Sequence, residues 1–457
     1  MTAVAPSRVS RPTGISRLTE SVPRYTSYPT APHFHAGVDG ATFRRWLAAV
    51  GDGEEISLYV HIPFCDRLCW FCACHTKQTR RYEPVASFLK ALHEEIATVG
   101  ALIGDRTFVR AVHFGGGSPT LLAPMDMVAL DSAMRRAFRY KRDVEISVEL
   151  DPNDMDEARF DALATIGMTR ASLGVQDFDP KVQLAINREQ TFQQTKRVID
   201  GVRARGVGSV NLDLLYGLPH QTEASVAETV RQALTLRPDR IALFGYAHVP
   251  WFKKHQTMIE DTTLPGPEER LAQARRAAGV VSGAGYMPIG LDHFALPDDS
   301  LADAASHGRL RRNFQGYTDD ACETLVGLGP SSVSRLPTGY AQNISATGLY
   351  ERRVLAGGLA TARGVALTEE DRARAWVIER LMCDFAFPRR ELCERFGELG
   401  RAIAAEAETL VADAEGLLEL RGDDFAVPEA SRAFVRTAAA LFDPYLGRGQ
   451  ARHSAAV

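Results

Sequence analysis

Ile56-Ser57-Leu58-Tyr59-Val60-His61-Ile62-Pro63-Phe64-Cys65-Asp66-Arg67-Leu68-Cys69-Trp70-Phe71-Cys72-Ala73-Cys74 is the stretch on which the fold turns. A run of β-forming residues passes directly into a loop carrying four thiols. Similar short runs, rich in Val, Ile, Leu and Phe, recur at 109–114, 144–150, 169–175, 209–215, 240–245 and 286–292. Segments of helical length lie between them, such as 85–99, 125–138 and 193–205. Strands alternating with helices at this spacing predict βα units and a parallel sheet. Six or seven units exceed a nucleotide-binding half and fall short of a closed eight-fold barrel. The expected fold class is therefore α/β, a partial open (β/α) barrel. A doubly wound sheet is the alternative.

The polar residues gather where the runs end. The thiol loop follows 56–61, Gly115-Gly116-Gly117-Ser118 follows 109–114, and Glu149 and Asp151 close 144–150. Gln176 and Asp177 follow 169–175, and Asp213 closes 209–215. Parallel α/β folds bind ligands at the carboxyl ends of their strands, so these ends describe one site.

Outside this region the chain is ordinary. Among 457 residues 45% are hydrophobic and 24% charged, which excludes disordered, collagen-like and coiled-coil chains. The net charge of -4 gives no overall bias toward nucleic acid or acidic membranes. The first residues lack an apolar signal core. The least polar stretch, 277–291, is too short to span a bilayer and is broken by Gly283, Gly285 and Pro288. A cytoplasmic protein without membrane insertion, binding no nucleic acid, is expected. Four domains are expected: an irregular N-terminal arm (1–50), the partial barrel (51–297), a linking and cavity-closing region (298–365) that begins with a polar linker at 298–308, and a helical C-terminal domain (366–457). In the last, helices at 368–383, 390–396, 401–413 and 430–441 surround β-like pieces at 417–420 and 425–427, a winged-helix-like pattern.

An odd total of seven cysteines argues against a disulfide framework. The loop spacing is C-x3-C-x2-C-x-C. Zinc takes four ligands in a tetrahedron, usually as two separated pairs. A single compact loop suits three corners of a [4Fe–4S] cube, which thiolates hold. Three ligands leave one iron open to a small molecule. Zinc remains the second reading, and a purely structural thiol group the third.

C-x3-C-x2-C with Phe71 before the third cysteine resembles the signature of radical S-adenosylmethionine enzymes. The likeness goes further. RYTSYPT (24–30), YVHIPFC (59–65), HFGGGSPT (113–120), EISVELDP (145–152), GVQDF (174–178), NREQ (187–190), NLDLLYGLP (211–219), GYAHVP (245–250), LDHFA (291–295) and RNFQGYT (312–318) all resemble the bacterial oxygen-independent coproporphyrinogen III oxidase family, with VGLGPSSVS (326–334) and YAQN (340–343) continuing it.

The resemblance implies that Cys65, Cys69 and Cys72 bind a [4Fe–4S] cluster, with Cys74 an extra cysteine and not a ligand. It implies two S-adenosylmethionine molecules, touched by Tyr59, Phe71, Gly116, Gly117, Ser118, Glu149, Gln176, Arg188, Asp213, Ala247 and Val333. The implied reaction converts two propionates of coproporphyrinogen III to vinyl groups through a 5′-deoxyadenosyl radical, giving protoporphyrinogen IX in haem biosynthesis. An unidentified electron donor and acceptor, and a monomeric enzyme, belong to the same expectation. No catalytic residue is identified. Arg312 and His293 suit the substrate carboxylates but are not assigned to them, while His33, His35 and His255 read as ordinary histidines. A related haem-binding or haem-chaperone branch, lacking this activity, is the alternative. The arm at 24–30 and Cys74 favour the oxidase.

Overall fold

The computed structural model describes residues 20–413 and 416–447. The first 19 positions of the expected arm and the last ten of the expected C-terminal domain lie outside the described residues. Six strands run parallel and adjacent in chain order: β1 (Glu55–Ile62), β2 (Phe108–Gly116), β3 (Tyr140–Leu150), β4 (Arg170–Gln176), β5 (Ser209–Tyr216) and β6 (Arg240–Gly245). A doubly wound sheet reverses its strand order midway. No reversal occurs across these six, so the partial barrel stands.

Period-two alternation gives the sheet two unlike faces. Leu58 and Val60 of β1, Phe114 of β2 and Val148 of β3 point outward into one core with Phe88 and Leu92 of the helix Glu83–Ile103. Each such side chain contributes about 1.5–3 kcal/mol by leaving water. The intervening positions carry Tyr59, His113, Glu145, Glu149, Arg170 and Asp213 on the concave face. At the amino ends of the strands these charges satisfy one another: Arg170 holds Glu145 at 2.9 Å, and Arg240 lies 2.7 Å from Asp299 and 3.5 Å from Asp319. At the carboxyl ends they remain open to a cavity.

The sheet extends beyond the parallel strands on both sides. The seventh expected βα strand, at 286–292, is instead the antiparallel pair β7 (Met287–Ile289) and β8 (His293–Ala295), with β8 against β6. The positive φ of Gly290, 57°, turns the chain back there, and a Cβ would strike the Tyr317 ring. Beyond β1 come β9 (Thr324–Leu328), parallel to it, and antiparallel β10 (Val333–Leu336), β11 (Gly339–Asn343) and β12 (Thr361–Ala366). The twelve strands order as β12-β11-β10-β9-β1-β2-β3-β4-β5-β6-β8-β7, and the first and last do not pair with each other, so the barrel is open. Residues expected to link and close the cavity thus supply four strands of the sheet. The expected polar linker contains the helix Ser300–Ser306, whose first turn is capped by Asp299. The arm, expected to be irregular, contains the helix Gly40–Ala48, capped by Asp39.

The helix Glu369–Asp384 leads to a helical stretch, Arg389–Asp413, broken at Gly397, then to the hairpin Glu419–Arg421 with Asp424–Ala426 and the short helix Val435–Ala440. Ala386–Phe387 adds a third strand, too short to show in the sequence. Tyr25 and Tyr28 of the arm are buried in this second core, and the Tyr25 hydroxyl donates to Asp443 at 3.0 Å.

Glu95 joins the helical layer to the sheet extension. It is buried, and its carboxylate accepts from the Gly329 amide (2.6 Å), the Asn343 amide (2.7 Å) and the Tyr350 hydroxyl (2.6 Å). Glu95→Ala strands three buried donors, so a loss of about 3 kcal/mol is expected in denaturant titration. A change within about 0.5 kcal/mol, the usual size for surface substitutions, would contradict this role.

Candidate functional site

The thiol loop leaves the carboxyl end of β1 and is held from several sides. Phe64–Cys65 pairs with Lys77–Gln78, closing the loop on itself. The Gly117 amide donates to the Ile62 carbonyl at 2.8 Å and the Ser118 amide to the Phe64 carbonyl at 2.7 Å. A Cβ at Gly117 would stand 2.5 Å from that Phe64 oxygen, so the glycine permits the approach. Across the barrel mouth, Gln256 donates to the carbonyls of Phe71 (2.9 Å) and Ala247 (3.2 Å). His255 Nε2 lies 2.7 Å from the Cys72 carbonyl, and Lys253 Nζ donates to the Cys74 carbonyl at 2.9 Å.

The thiols sit in a setting that opposes their joint ionisation. Burial pushes Cys65 up to about 12 although the Thr76 hydroxyl stands 3.0 Å away, and burial raises Cys69 although Arg188 faces it. Cys74 keeps its proton and hydrogen-bonds to Cys72, which holds Cys72 low and Cys74 high. Three neighbouring thiolates are therefore stable only beside a cationic group, and a bound metal cluster supplies one. Sulfurs around a single zinc would lie roughly 3.8 Å apart. Among the described residues the only three ligand groups with atoms within 4.8 Å of one another are Asp66, Asp151 and Asp154. No three of the loop thiols lie within 4.8 Å of one another, so they are not set as a tetrahedral zinc site.

Facing the loop, the concave side carries a connected polar network. The Tyr59 ring stacks on His113, with centroids 5.7 Å apart, and its hydroxyl meets His61 Nδ1 at 3.0 Å. His113 Nε2 lies 3.0 Å from Glu149, whose other oxygen accepts from the Gly116 amide at 3.0 Å. Burial resists ionisation of Glu149, yet these two partners and His61 hold its carboxyl below the usual range. Asp213 behaves oppositely. Burial and the nearby Glu149 charge push it up to about 6, despite a 2.8 Å hydrogen bond from Asn211. The environment separates the two carboxylates, leaving one ionised and one titrating near neutrality.

Tyr59, Gly116, Glu149, Asp213 and the thiol loop with Phe71 come together at this mouth. Gln176 is held there at a positive φ of 67°, beside Gly174 and Arg188. Arg188 is engaged with the loop itself: Nη1 faces the Cys69 sulfur at 3.5 Å and Asp151 at 3.2 Å, while Nη2 donates to the Gly174 carbonyl at 2.6 Å. The Ser118 hydroxyl is likewise committed, donating to Asp154 at 2.6 Å. Val333 packs with Phe34, Tyr340 and Val365, and Gly327 stands between its backbone and Tyr59. The sequence reading passed over His61, His113, Lys253 and Gln256, and took His255 for an ordinary histidine. For the first two a signal was present, since each stands two residues from a residue already singled out, on the same strand face. The segment 253–256 carries no such mark.

These features define a radical S-adenosylmethionine fold and site, and the radical SAM superfamily profile matches residues 59–233. The oxygen-independent coproporphyrinogen III oxidase of Bradyrhizobium diazoefficiens is 49% identical over 96% of this chain and 98% of its own length, and that of Paracoccus denitrificans 47% over 95% and 96%. The structure of coproporphyrinogen III oxidase from Escherichia coli, described as a radical SAM enzyme, superposes with a TM-score of 0.88 at 37% identity, covering 92% of this chain and 97% of that one. The chain belongs to the oxygen-independent coproporphyrinogen III oxidase family, and its cofactors are a [4Fe–4S] cluster and S-adenosylmethionine.

Gly116→Ala tests the packing of the mouth. The position has φ 112°, and a Cβ would lie 2.5 Å from the His61 ring. A loss of about 1–3 kcal/mol is expected from backbone strain, with weakened S-adenosylmethionine binding. An unchanged melting curve and unchanged binding would contradict the close approach.

Proposed function

We propose that this chain decarboxylates two propionates of coproporphyrinogen III to vinyl groups without oxygen, yielding protoporphyrinogen IX for haem biosynthesis. Full-length similarity to enzymes of that name, together with the three-thiol loop at the barrel mouth, carries this reading. Cys65, Cys69 and Cys72 would each hold one iron of the cluster, leaving the fourth for S-adenosylmethionine. When bound, cluster and S-adenosylmethionine together supply a 5′-deoxyadenosyl radical able to remove hydrogen from a propionate β-carbon.

The chain's own residues orient and shield that chemistry. Glu149 and Asp213 offer carboxylates to the ammonium and ribose groups of S-adenosylmethionine, with Gly116 and Gly117 giving backbone access. Tyr59, Phe71, Gln176, Ala247 and Val333 complete the proposed contact set, which on this reading serves two S-adenosylmethionine molecules. Arg188 also braces the cluster loop through Cys69 and Asp151 while its buried Nε keeps no partner of its own, and the Ser118 hydroxyl donates to Asp154. The arm covers the mouth and limits water near a radical. On this reading the enzyme works as a cytoplasmic monomer with a separate electron donor and electron acceptor. Among the described residues no helix is long and apolar enough to cross a membrane.

The reconstituted protein, assayed without oxygen on coproporphyrinogen III, S-adenosylmethionine and a reductant, should form protoporphyrinogen IX and 5′-deoxyadenosine together. Cys65→Ser should lose iron, sulfide and both products. Tight haem binding with neither product from the intact protein would instead support the haem-chaperone reading. Asp213 adds a pH test. Its carboxyl is raised to about 6, so it is protonated below that value and charged above it. S-adenosylmethionine affinity should therefore fall as pH drops through about 6, with proton release on binding there, and Asp213→Asn should flatten the profile in calorimetry. Identical profiles for the two proteins would remove Asp213 from the site.

A further inference from the structure

At the barrel mouth, away from the cluster loop, positive charge accumulates without enough anions to match it. Arg312, on the hairpin formed by Arg311–Asn313 and Gly316–Thr318, is 8% exposed. Its Nε and Nη1 have no hydrogen-bond partner, and Nη2 reaches only the Arg24 carbonyl, at 3.4 Å. The guanidinium lies over the Tyr317 ring at 4.4 Å, which fixes its plane. Buried donors are seldom left unmet, and each costs on the order of 1 kcal/mol or more.

Two further guanidiniums, Arg24 and Arg436, stand near this one, and Arg270 stands near Arg24. Arg24 comes from the arm and donates to the Gly245 carbonyl at 3.1 Å, at the end of β6. Its side chain is enclosed by protein yet open to water, as a residue lining an internal cavity is. Arg436, from the C-terminal domain, donates to the carbonyls of Pro23 and Val22 and so presses the arm into place. Arg270 donates to the Tyr246 carbonyl at 2.7 Å, and its Nε has no partner. Against these four charges stands Asp292, already bound to His293 at 2.7 Å. Tyr216, also facing them, is raised by burial and stays neutral. The crowding shows in Arg436, which burial and its neighbours Arg24 and Arg312 pull down to about 9.

We propose that Arg312 and Arg24 form a carboxylate-binding site at the barrel mouth that grips a propionate of the tetrapyrrole substrate. The planar fork of Arg312, with two donors unmet, matches a carboxylate bidentately. Arg436 acts as a positioning residue by holding the backbone of residues 22–24. The substrate class rests on the proposed function, but the carboxylate grip rests on the geometry alone. The carboxylate of a second S-adenosylmethionine shares this chemistry, because Gly245 is two residues from Ala247.

The test uses the anaerobically reconstituted holoprotein, titrated with non-reacting coproporphyrin III and with its tetramethyl ester. The wild type should prefer the free acid. Arg312→Gln should weaken the free acid by about tenfold or more and leave the ester unchanged, with Arg312→Lys in between. Arg24→Gln, on the arm, should act in the same direction and serves if the Arg312 variants fail to fold. The proposal is overturned if the wild type shows no preference for the acid. It is also overturned if folded variants keep that preference, or if the loss falls on S-adenosylmethionine affinity instead. Failure of the proposed reaction is distinguishable from these results, since the wild type would then bind with the acid preference and form no protoporphyrinogen.

Discussion

The whole arrangement depends on one constraint: the parallel sheet has an apolar outer face and a charged inner one. Parallel sheets commonly bury both faces under helices, and their strands then read as continuous apolar runs. Here the strands alternate, and the inner charges must find partners. At the amino ends they find each other, as Arg170 with Glu145 and Arg240 with Asp299. At the carboxyl ends Glu149, Asp213 and the thiol loop face a cavity instead. One end of the sheet carries ion pairs and the other a mouth lined by carboxylates and thiols, and this asymmetry places the site.

The same logic explains why the arm and the C-terminal domain are coupled. A mouth that shelters radical chemistry has to be covered, and a cover needs its own anchorage. Tyr25 and Tyr28 sink into the C-terminal core, while Arg436 binds the backbone just before them. Arg24 projects from that anchored segment to the end of β6. The C-terminal domain thus anchors the arm segment that reaches the end of β6.

Much of this was legible in the sequence, for identifiable reasons. Strand positions followed from β-branched runs, and the site's location from polar residues clustered at their ends. The cysteine spacing alone pointed to a cluster. The run at 286–292 departs from the parallel ones at Pro288 and Gly290, which interrupt it, and Gly290 takes the positive φ that turns the chain back. Strands β9 to β11 were hidden because no helix separates one from the next, which breaks the βα rhythm, and β12 follows the helix Thr347–Leu355 but runs antiparallel. Arg188 and Ser118 were recognisable as site residues, but their bracing contacts depend on Asp151 and Asp154, which tertiary structure alone brings into reach. The support given by Lys253, His255 and Gln256 spans some 180 residues of sequence and leaves no local trace.

On the proposed reading, three loop thiols hold a four-iron cluster with one iron open to S-adenosylmethionine. Electron paramagnetic resonance of the reduced, reconstituted protein tests it most directly. The account predicts the signal of a reduced [4Fe–4S] cluster, shifted when S-adenosylmethionine is added. A cluster signal indifferent to S-adenosylmethionine, or stoichiometric zinc in place of iron and sulfide, would contradict it.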